Sequence, residues 1–310
     1  MNAEFLSAEK RDTSPLPASR PLSDDMSLEV RELRFSDGAA TPVWRVRSCE
    51  GCPGLPLLYL HGIQSHPGWF VGSAQALARE GWDVFLLTRR GSGTSTAPRG
   101  DAPSADRLMT DLTELAELLL RETRAETLSA VGVSWGGKWL SAWLAGGRSA
   151  VSAATLVAPG IAPRVDVSWT TKLAIAGSLL CVPTRQFEIP LGDPELFTET
   201  PAMQRYIADD KASLRRATAR FLYASRKMED RLKHSPADAI STPTTLLLAE
   251  TDRIIDNDRT RRIFEKLTGS RGQTHTLSGA HTLEFEPDPQ PFYDALVSSL
   301  APGVPTDEAS

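Results

Sequence analysis

The sequence predicts an α/β protein with a mostly parallel, doubly wound sheet and a helical cap inserted between two of its strands. Three observations point there. Short, almost continuously apolar runs recur along the chain, as strands covered on both faces require. Amphipathic helical stretches separate most of them, the alternation of βαβ units. One long segment, about residues 163–240, breaks the alternation and carries only helical patterns.

The strand-like runs come in order. Leu28 to Phe35 alternates, and Pro42 to Arg47 follows it. Leu55 to His61 (LPLLYLH), Trp82 to Thr88 (WDVFLLT), Leu128 to Val133, Ala153 to Val157 and Thr244 to Ala249 are the buried type; Thr274 to Leu277 is a shorter run near the end. Helices are expected over Pro67 to Glu80, Ser104 to Arg124, Trp135 to Ala145 and Asp258 to Leu267. The second is the clearest, with Leu108, Leu112, Leu115, Leu118 and Leu119 at helical spacing. In the insertion, helices are expected over Thr171 to Cys181, Pro201 to Ile207 and Lys211 to Leu232. An insertion of this kind becomes a cap over the strand ends, where doubly wound sheets place their sites.

The expected organisation is a mobile leader over 1–25, polar and proline-bearing, then a core of 26–162 and 241–302. The cap spans 163–240 and a tail 303–310. The chain has 310 residues, 41% of them hydrophobic, enough for a sizeable core. A net charge of −5 and the lack of long basic runs argue against a nucleic-acid partner. The opening MNAEFLSAEKRD has no basic region followed by an apolar stretch, and no apolar run approaches the roughly 18 residues that span a bilayer. A cytoplasmic protein is the expectation. Of three cysteines, Cys49 and Cys52 form a C-x-x-C without a second pair, so free thiols in a turn are expected, and Cys181 is expected to pack in its apolar helix. No metal cluster is visible.

The stretch SAVGVSWGGKWL, residues 129–140, carries the chemistry. Gly132-Val133-Ser134-Trp135-Gly136 fits Gly-X-Ser-X-Gly between a strand and a helix. A tight turn there holds a serine hydroxyl above the sheet, and glycines on both sides avoid clashes. The helix that follows aims N–H groups and positive dipole at the hydroxyl. A serine needs a base, and the base an orienting acid. Three histidines follow it: His234, His275 and His281. His281 stands in a small-residue loop after a strand-like run, on the serine's side of the sheet. His275 lies inside that run and His234 in the insertion, so His281 is the expected base. LLLAETDRIID offers the acid. Asp252, in the loop beyond the strand, is the choice; Glu250 at the strand end is the alternative, and Asp256 is expected to cap the next helix. Negative charge on a tetrahedral intermediate needs two backbone donors. The Trp135 N–H is one, and the Ile63 N–H, in the loop after LLYLH, the other, with Gln64 next in line. His61 and His66 are expected to structure that loop. Trp135, Trp139 and Trp143 at i, i+4 and i+8 are expected to pack against the sheet.

With these segments in view, the chain resembles an α/β-hydrolase, and within that fold the monoacylglycerol lipase and lysophospholipase group of serine hydrolases. HGIQSHPGWF is similar to that group's His-Gly-x-x-x-His-Ser-Gly-x-Tyr loop, with Pro67 for serine and Phe70 for tyrosine. RRGSGTST matches a Gly-x-Gly-x-Ser turn as Gly91, Gly93 and Ser95, but Thr88 or Arg89 stands where an aspartate is usual. GVSWGG, DRIID and GAHTLEFE match the elbow, acid and base loops. The resemblance spans about residues 55–300. It implies hydrolysis of a small-molecule acyl ester through an acyl-enzyme, with no cofactor. Glu250 replaces a usual glycine, so a second carboxylate stands near Asp252. The Ser-Trp-Gly elbow also resembles proline iminopeptidases, whose His-Gly-Gly-Pro-Gly loop is absent.

Other readings use the same residues. A thioesterase, aminopeptidase or acyltransferase could run on this triad. A ligand-binding protein would need a broken triad. Dehalogenase or epoxide hydrolase chemistry would need a carboxylate at Ser134. The cap segment WTTKLAIAGSLLC is either a helix packed on the core or a surface for acyl chains or transient membrane contact.

Overall fold

The computed structural model describes residues 3–6, 17–48, 54–147 and 150–300. Cys49, Cys52, most of the leader's first half and the 303–310 tail lie outside them.

In chain order the strands are β1 (Glu4–Phe5), β2 (Met26–Arg34), β3 (Ala40–Ser48), β4 (Pro56–Leu60), β5 (Asp83–Leu87), β6 (Leu128–Val133), β7 (Val151–Val157), β8 (Gln186–Glu188), β9 (Arg216–Thr218), β10 (Thr244–Ala249) and β11 (Gly272–Leu277). The helices are α1 (Val71–Arg79), α2 (Ala105–Thr123), α3 (Trp135–Leu144), α4 (Trp169–Cys181), α5 (Pro201–Asp209), α6 (Ala219–His234), α7 (Asn257–Thr268) and α8 (Gln290–Ser298), with a short 3₁₀ turn, Pro67–Phe70, leading into α1. Nine strands form one sheet in the order β1-β2-β3-β5-β4-β6-β7-β10-β11. The first three join antiparallel, and every pairing from β5 to β11 is parallel.

The continuously apolar runs are the central strands. Every residue of β4, β5, β6 and β10 is buried, as two covered faces demand. Caps fix the flanking helices. The Ser104 hydroxyl accepts from the Arg107 N–H (3.0 Å) at α2, and Asp256 accepts from the Arg259 N–H (3.0 Å) at α7.

Residues between β7 and β10 lie over the C-terminal strand ends. The helix expected from Lys211 begins only at Ala219. Asp210 accepts from the Ala212 N–H (2.9 Å) and the Ser213 hydroxyl (2.8 Å), which turns the chain. β9 then pairs antiparallel with β8 before the Thr218 hydroxyl caps α6. These tertiary and side-chain bonds override a helical sequence pattern. α8 carries no expectation from the sequence and packs beside α1.

Two expectations fail for a physical reason. The leader is not loose over residues 17–25. Ser19 bonds the carbonyls of Gly68 (2.8 Å) and Trp69 (2.9 Å). Gln75 accepts from the Ser23 N–H (2.7 Å), and the Tyr206 hydroxyl donates to Pro17 O (2.8 Å). Polar composition there serves docking rather than disorder. Cys181 is exposed, not packed. α4 rests on α6 and turns Trp169, Leu173 and Leu180 outward, so its apolar composition is not matched by burial. No helix among the described residues is long and apolar enough to cross a membrane.

Candidate active site

Ser134 sits between β6 and α3 with φ 53° and ψ −118°. An L-residue avoids this conformation, at a cost of order 1–3 kcal/mol. The surroundings impose it: the Ser134 N–H donates to Val157 O and the Gly160 N–H to Ser134 O, both at 2.8 Å. The elbow glycines are required by close approach. A Cβ on Gly132 would lie 2.8 Å from Gly136 O, and one on Gly136 would lie 2.4 Å from Leu60 O. α3 therefore seats directly on the end of β4. That contact carries the loop after β4 to the serine: a Cβ on Gly62 would stand 3.4 Å from Ser134 Cβ.

The structure brings Ser134, His281 and Asp252 together from three loops. His281 Nδ1–H donates to Asp252 Oδ2 (2.7 Å), which leaves Nε2 to accept from the Ser134 hydroxyl (2.9 Å). His281 and Asp252 are buried, and Ser134 is half-buried. Asp252 Oδ1 accepts from the N–H groups of Ile254 (2.8 Å) and Ile255 (3.0 Å). Burial opposes the charge on Asp252, but the His281 ring and these amides outweigh it and hold the carboxyl below its ordinary pKa. Glu250 is exposed at the end of β10, and its backbone N–H bonds Leu277 O. The imidazole meets Asp252, not Glu250. His275 is exposed on β11, and His234 is exposed at the end of α6 with Nδ1 on Asp230 O (2.6 Å).

Among the described residues, neither the Ile63 nor the Trp135 backbone N–H has a protein acceptor. Gln64, the other candidate, turns its carbonyl to the Leu214 N–H (2.9 Å). Its side-chain amide is buried without a hydrogen-bond partner.

Two histidines build the loop around Ile63. The Arg89 N–H donates to His61 Nε2 (3.0 Å), so Nδ1 carries the proton and donates to Gly62 O (2.8 Å). Burial and the nearby Arg89 charge push the His61 pKa well down, so the ring is neutral. His66 Nδ1 accepts from the Gly68 N–H (3.1 Å), and its Nε2–H donates to Asp210 Oδ2 (3.0 Å). The Trp69 indole donates to the same oxygen (2.9 Å). The three tryptophans of α3 are buried: Trp135 stacks on Phe221 of α6 at 5.2 Å, while Trp139 and Trp143 bond α2.

Sequence reasoning gave no role to Asp210 and Glu284, and noted Arg89 only as a departure from the usual aspartate. Asp210 looks like loop and helix-start chemistry in MQRYIADD, and its partner His66 is 144 residues away. Glu284, three residues past His281, is fully buried and receives the Ser73 N–H (3.1 Å) and the Tyr293 hydroxyl (3.1 Å). Burial pushes its pKa up to about 7.

The profile of a family described as serine aminopeptidase, S33, matches residues 53–288. The chain belongs to that family. Its fold is the α/β-hydrolase fold, and the solved structures similar to it agree. A monoacylglycerol lipase from Paleococcus ferrophilus is 22% identical, covering 80% of this chain and 95% of its own, with a TM-score of 0.70. A soluble variant of the monoglyceride lipase from Saccharomyces cerevisiae, in complex with a substrate analogue, is 16% identical over 93% of this chain and 98% of its own, with a TM-score of 0.77. An esterase from Exiguobacterium antarcticum is 18% identical over 87% and 98%, with a TM-score of 0.66. No curated protein sequence matches the chain. Within this S33 α/β-hydrolase, the elbow, the acid loop and the base loop all fall inside the matched span.

Proposed function

We propose that the protein is a serine hydrolase of carboxylic esters. Ser134 attacks the acyl carbonyl, His281 takes its proton and then gives it to the leaving alcohol, and Asp252 orients the ring and balances its charge. The N–H groups of Ile63 and Trp135 receive the negative charge of the tetrahedral intermediate. Water activated by His281 then releases the acyl group from Ser134. The observation that carries this reading is the hydrogen-bonded chain Ser134–His281–Asp252 at 2.9 and 2.7 Å on a strained elbow.

Monoacylglycerols, lysophospholipids or small esters are the proposed substrates. The lipase and esterase neighbours favour them over other acyl donors. A thioesterase, aminopeptidase or acyltransferase on the same residues is the second reading. The family's description and a thioesterase domain among the similar structures (TM-score 0.60, 16% identity) favour it.

Residues 163–240 act as the cap in this reading, and the protein works in the cytoplasm. Its helix α4 turns Trp169, Leu173 and Leu180 to solvent, and Val182 follows just beyond it, at 72%, 56%, 88% and 53% exposure, an apolar surface suited to transient lipid contact. Flotation with liposomes tests this: equal binding after Leu173 to Leu180 is made polar sinks it.

The central test is labelling by a fluorophosphonate, with a p-nitrophenyl ester series from acetate to palmitate. Wild type should label and turn over, and Ser134→Ala should lose labelling and about 10⁴-fold or more of turnover. An unlabelled, inactive wild type would overturn the ester hydrolase reading. The chain-length optimum separates small esters from lipids.

A further inference from the structure

Arg89 and Arg90 are neighbours at the end of β5, yet they are held in opposite ways. Arg90 forms a two-point ion pair with Asp111 (2.8 and 2.7 Å) and reaches Asp37 (2.9 Å). Arg89 is 1% exposed and pairs with no carboxylate among the described residues. Its Nε has no partner. Burying a lone guanidinium is costly, so the contacts that it does make call for a reason.

One of those contacts, together with one made by the backbone of the same residue, bears on Ile63. The guanidinium donates to Ile63 O (2.9 Å), Arg90 O (3.2 Å) and Ser92 Oγ (3.3 Å). It packs over the Trp135 ring at 4.9 Å and the Phe221 ring at 4.7 Å. The backbone N–H of the same residue fixes the His61 tautomer, and His61 Nδ1–H holds Gly62 O. Gly62 O and the Ile63 N–H belong to one planar trans peptide, so pinning the carbonyl sets the opposite direction for the N–H. The next carbonyl, Ile63 O, is pinned by the guanidinium. Both carbonyls flanking Ile63 are thus held by Arg89, one through His61 and one directly. The neighbouring Gly62 is the residue that lies against Ser134.

We propose that Arg89 is a positioning residue for the oxyanion donor: with the Gly62 carbonyl held through His61, its guanidinium holds the Ile63 carbonyl on the other side of that residue, and the two anchors together keep the Ile63 N–H aimed beside Ser134. This rests on the reading of Ser134 as the nucleophile. It also accounts for a cation at a position where the sequence pattern of the loop does not call for one. The charge is tolerated because its hydrogen bonds end on two backbone carbonyls and the Ser92 hydroxyl, and its faces on two aromatic rings. Burial pushes its pKa down to about 9, with Arg99 adding to the effect, which reflects the missing carboxylate.

The test replaces the side chain and separates aim from fold. Arg89→Met removes both the charge and the fork at similar length. Removing an unpaired buried charge relieves its desolvation, and this offsets the loss of the donors to Ile63 O and Arg90 O. A misaimed donor costs about 10- to 100-fold in kcat. The expected result is that loss of kcat on the best p-nitrophenyl ester, with KM within about threefold and the thermal midpoint kept. Affinity for a trifluoromethyl ketone, which forms a tetrahedral adduct on the serine, should fall by the same factor as kcat. Affinity for a non-hydrolysable ether analogue should stay constant. Arg89→Lys restores one donor and should recover part of the loss; it also carries the test if the Met variant does not fold. Wild-type kcat and ketone affinity in whichever variant folds would overturn the proposal. So would a parallel loss of ketone and ether binding, which marks a general collapse of the pocket. An inactive wild type would instead bring down the reading of Ser134, and the two failures are distinct.

Discussion

His66 and Asp210 form a buried pair that ties the loop beside Ser134 to the helical segment between β7 and β10. The ring donates from Nε2 across 3.0 Å, and the Trp69 indole, the Ser213 hydroxyl and the Ala212 N–H complete the carboxylate's shell. Burial opposes the charge, but these donors, His66 foremost, hold the Asp210 pKa well below the usual carboxylate value. Such a group stabilises the fold above the unfolded pKa near 4, and the contribution is lost as pH falls toward the lowered value. Asp210→Ala strands three buried donors. It should cost on the order of 3 kcal/mol and lower the thermal midpoint by several degrees. In a double-mutant cycle with His66→Ala the two losses should be less than additive. Additive losses would mean that the pair does not couple loop and cap.

Asp252 and Glu250 give a clean contrast. Asp252→Asn should lower kcat by about 10³- to 10⁴-fold, because the ring loses its orienting carboxylate. Glu250→Gln should stay within about threefold of wild type, since that side chain is exposed away from the imidazole. Steady-state kinetics on one ester checks both. A large loss in Glu250→Gln would reverse the assignment.

Much of this site is legible in the sequence, and the reason is local. The elbow announces itself because its glycines are forced by backbone approaches of under 3 Å within a few residues of Ser134. Asp252 and His281 are legible because each follows a recognisable strand. Arg89 and Asp210 are not, because their meaning lies in partners brought together by the sheet and the cap. The same limit explains the misread start of α6, where Asp210 and the β8–β9 pairing redirect a helical pattern, and the leader, whose polar groups find fixed acceptors on Gly68 and Trp69.

Glu284 makes stability depend on pH near neutrality. Its folded pKa of about 7 lies above the ordinary 4.5, so the folded state holds the extra proton between those values. Stability should therefore fall as pH rises from about 4.5 to about 7, by on the order of 3 kcal/mol from this group. Glu284→Gln should flatten that slope. Urea midpoints between pH 5 and 8 would decide it, and an unchanged slope in the variant would refute the assignment.

Two glycines should respond in opposite senses to alanine. Gly136→Ala places a methyl 2.4 Å from Leu60 O and 2.6 Å from His61 O, both backbone, so folding should suffer by several kcal/mol. Gly177, in α4, has nothing within 4 Å of the new methyl. Gly177→Ala should stabilise by about 0.5–1 kcal/mol. Calorimetry on the pair checks both signs.

The helical segment between β7 and β10, proposed as the cap, is fastened unevenly. Arg220 of α6 pairs with Asp101, Ser225 receives the Trp135 indole (2.9 Å), and Lys138 joins Glu229 (2.7 Å), while α4 touches little besides α6. A segment held this way is expected not to swing as one body. Entry of a bulky ester is then expected through local opening of α4 alone, a sub-global event that exposes little surface. Amide hydrogen exchange would register it as fast exchange over Trp169–Cys181 against slow exchange over Ala219–His234, with the contrast narrowed once the serine carries a long acyl-like phosphonate. Equal rates in the two helices would point to a cap that moves whole.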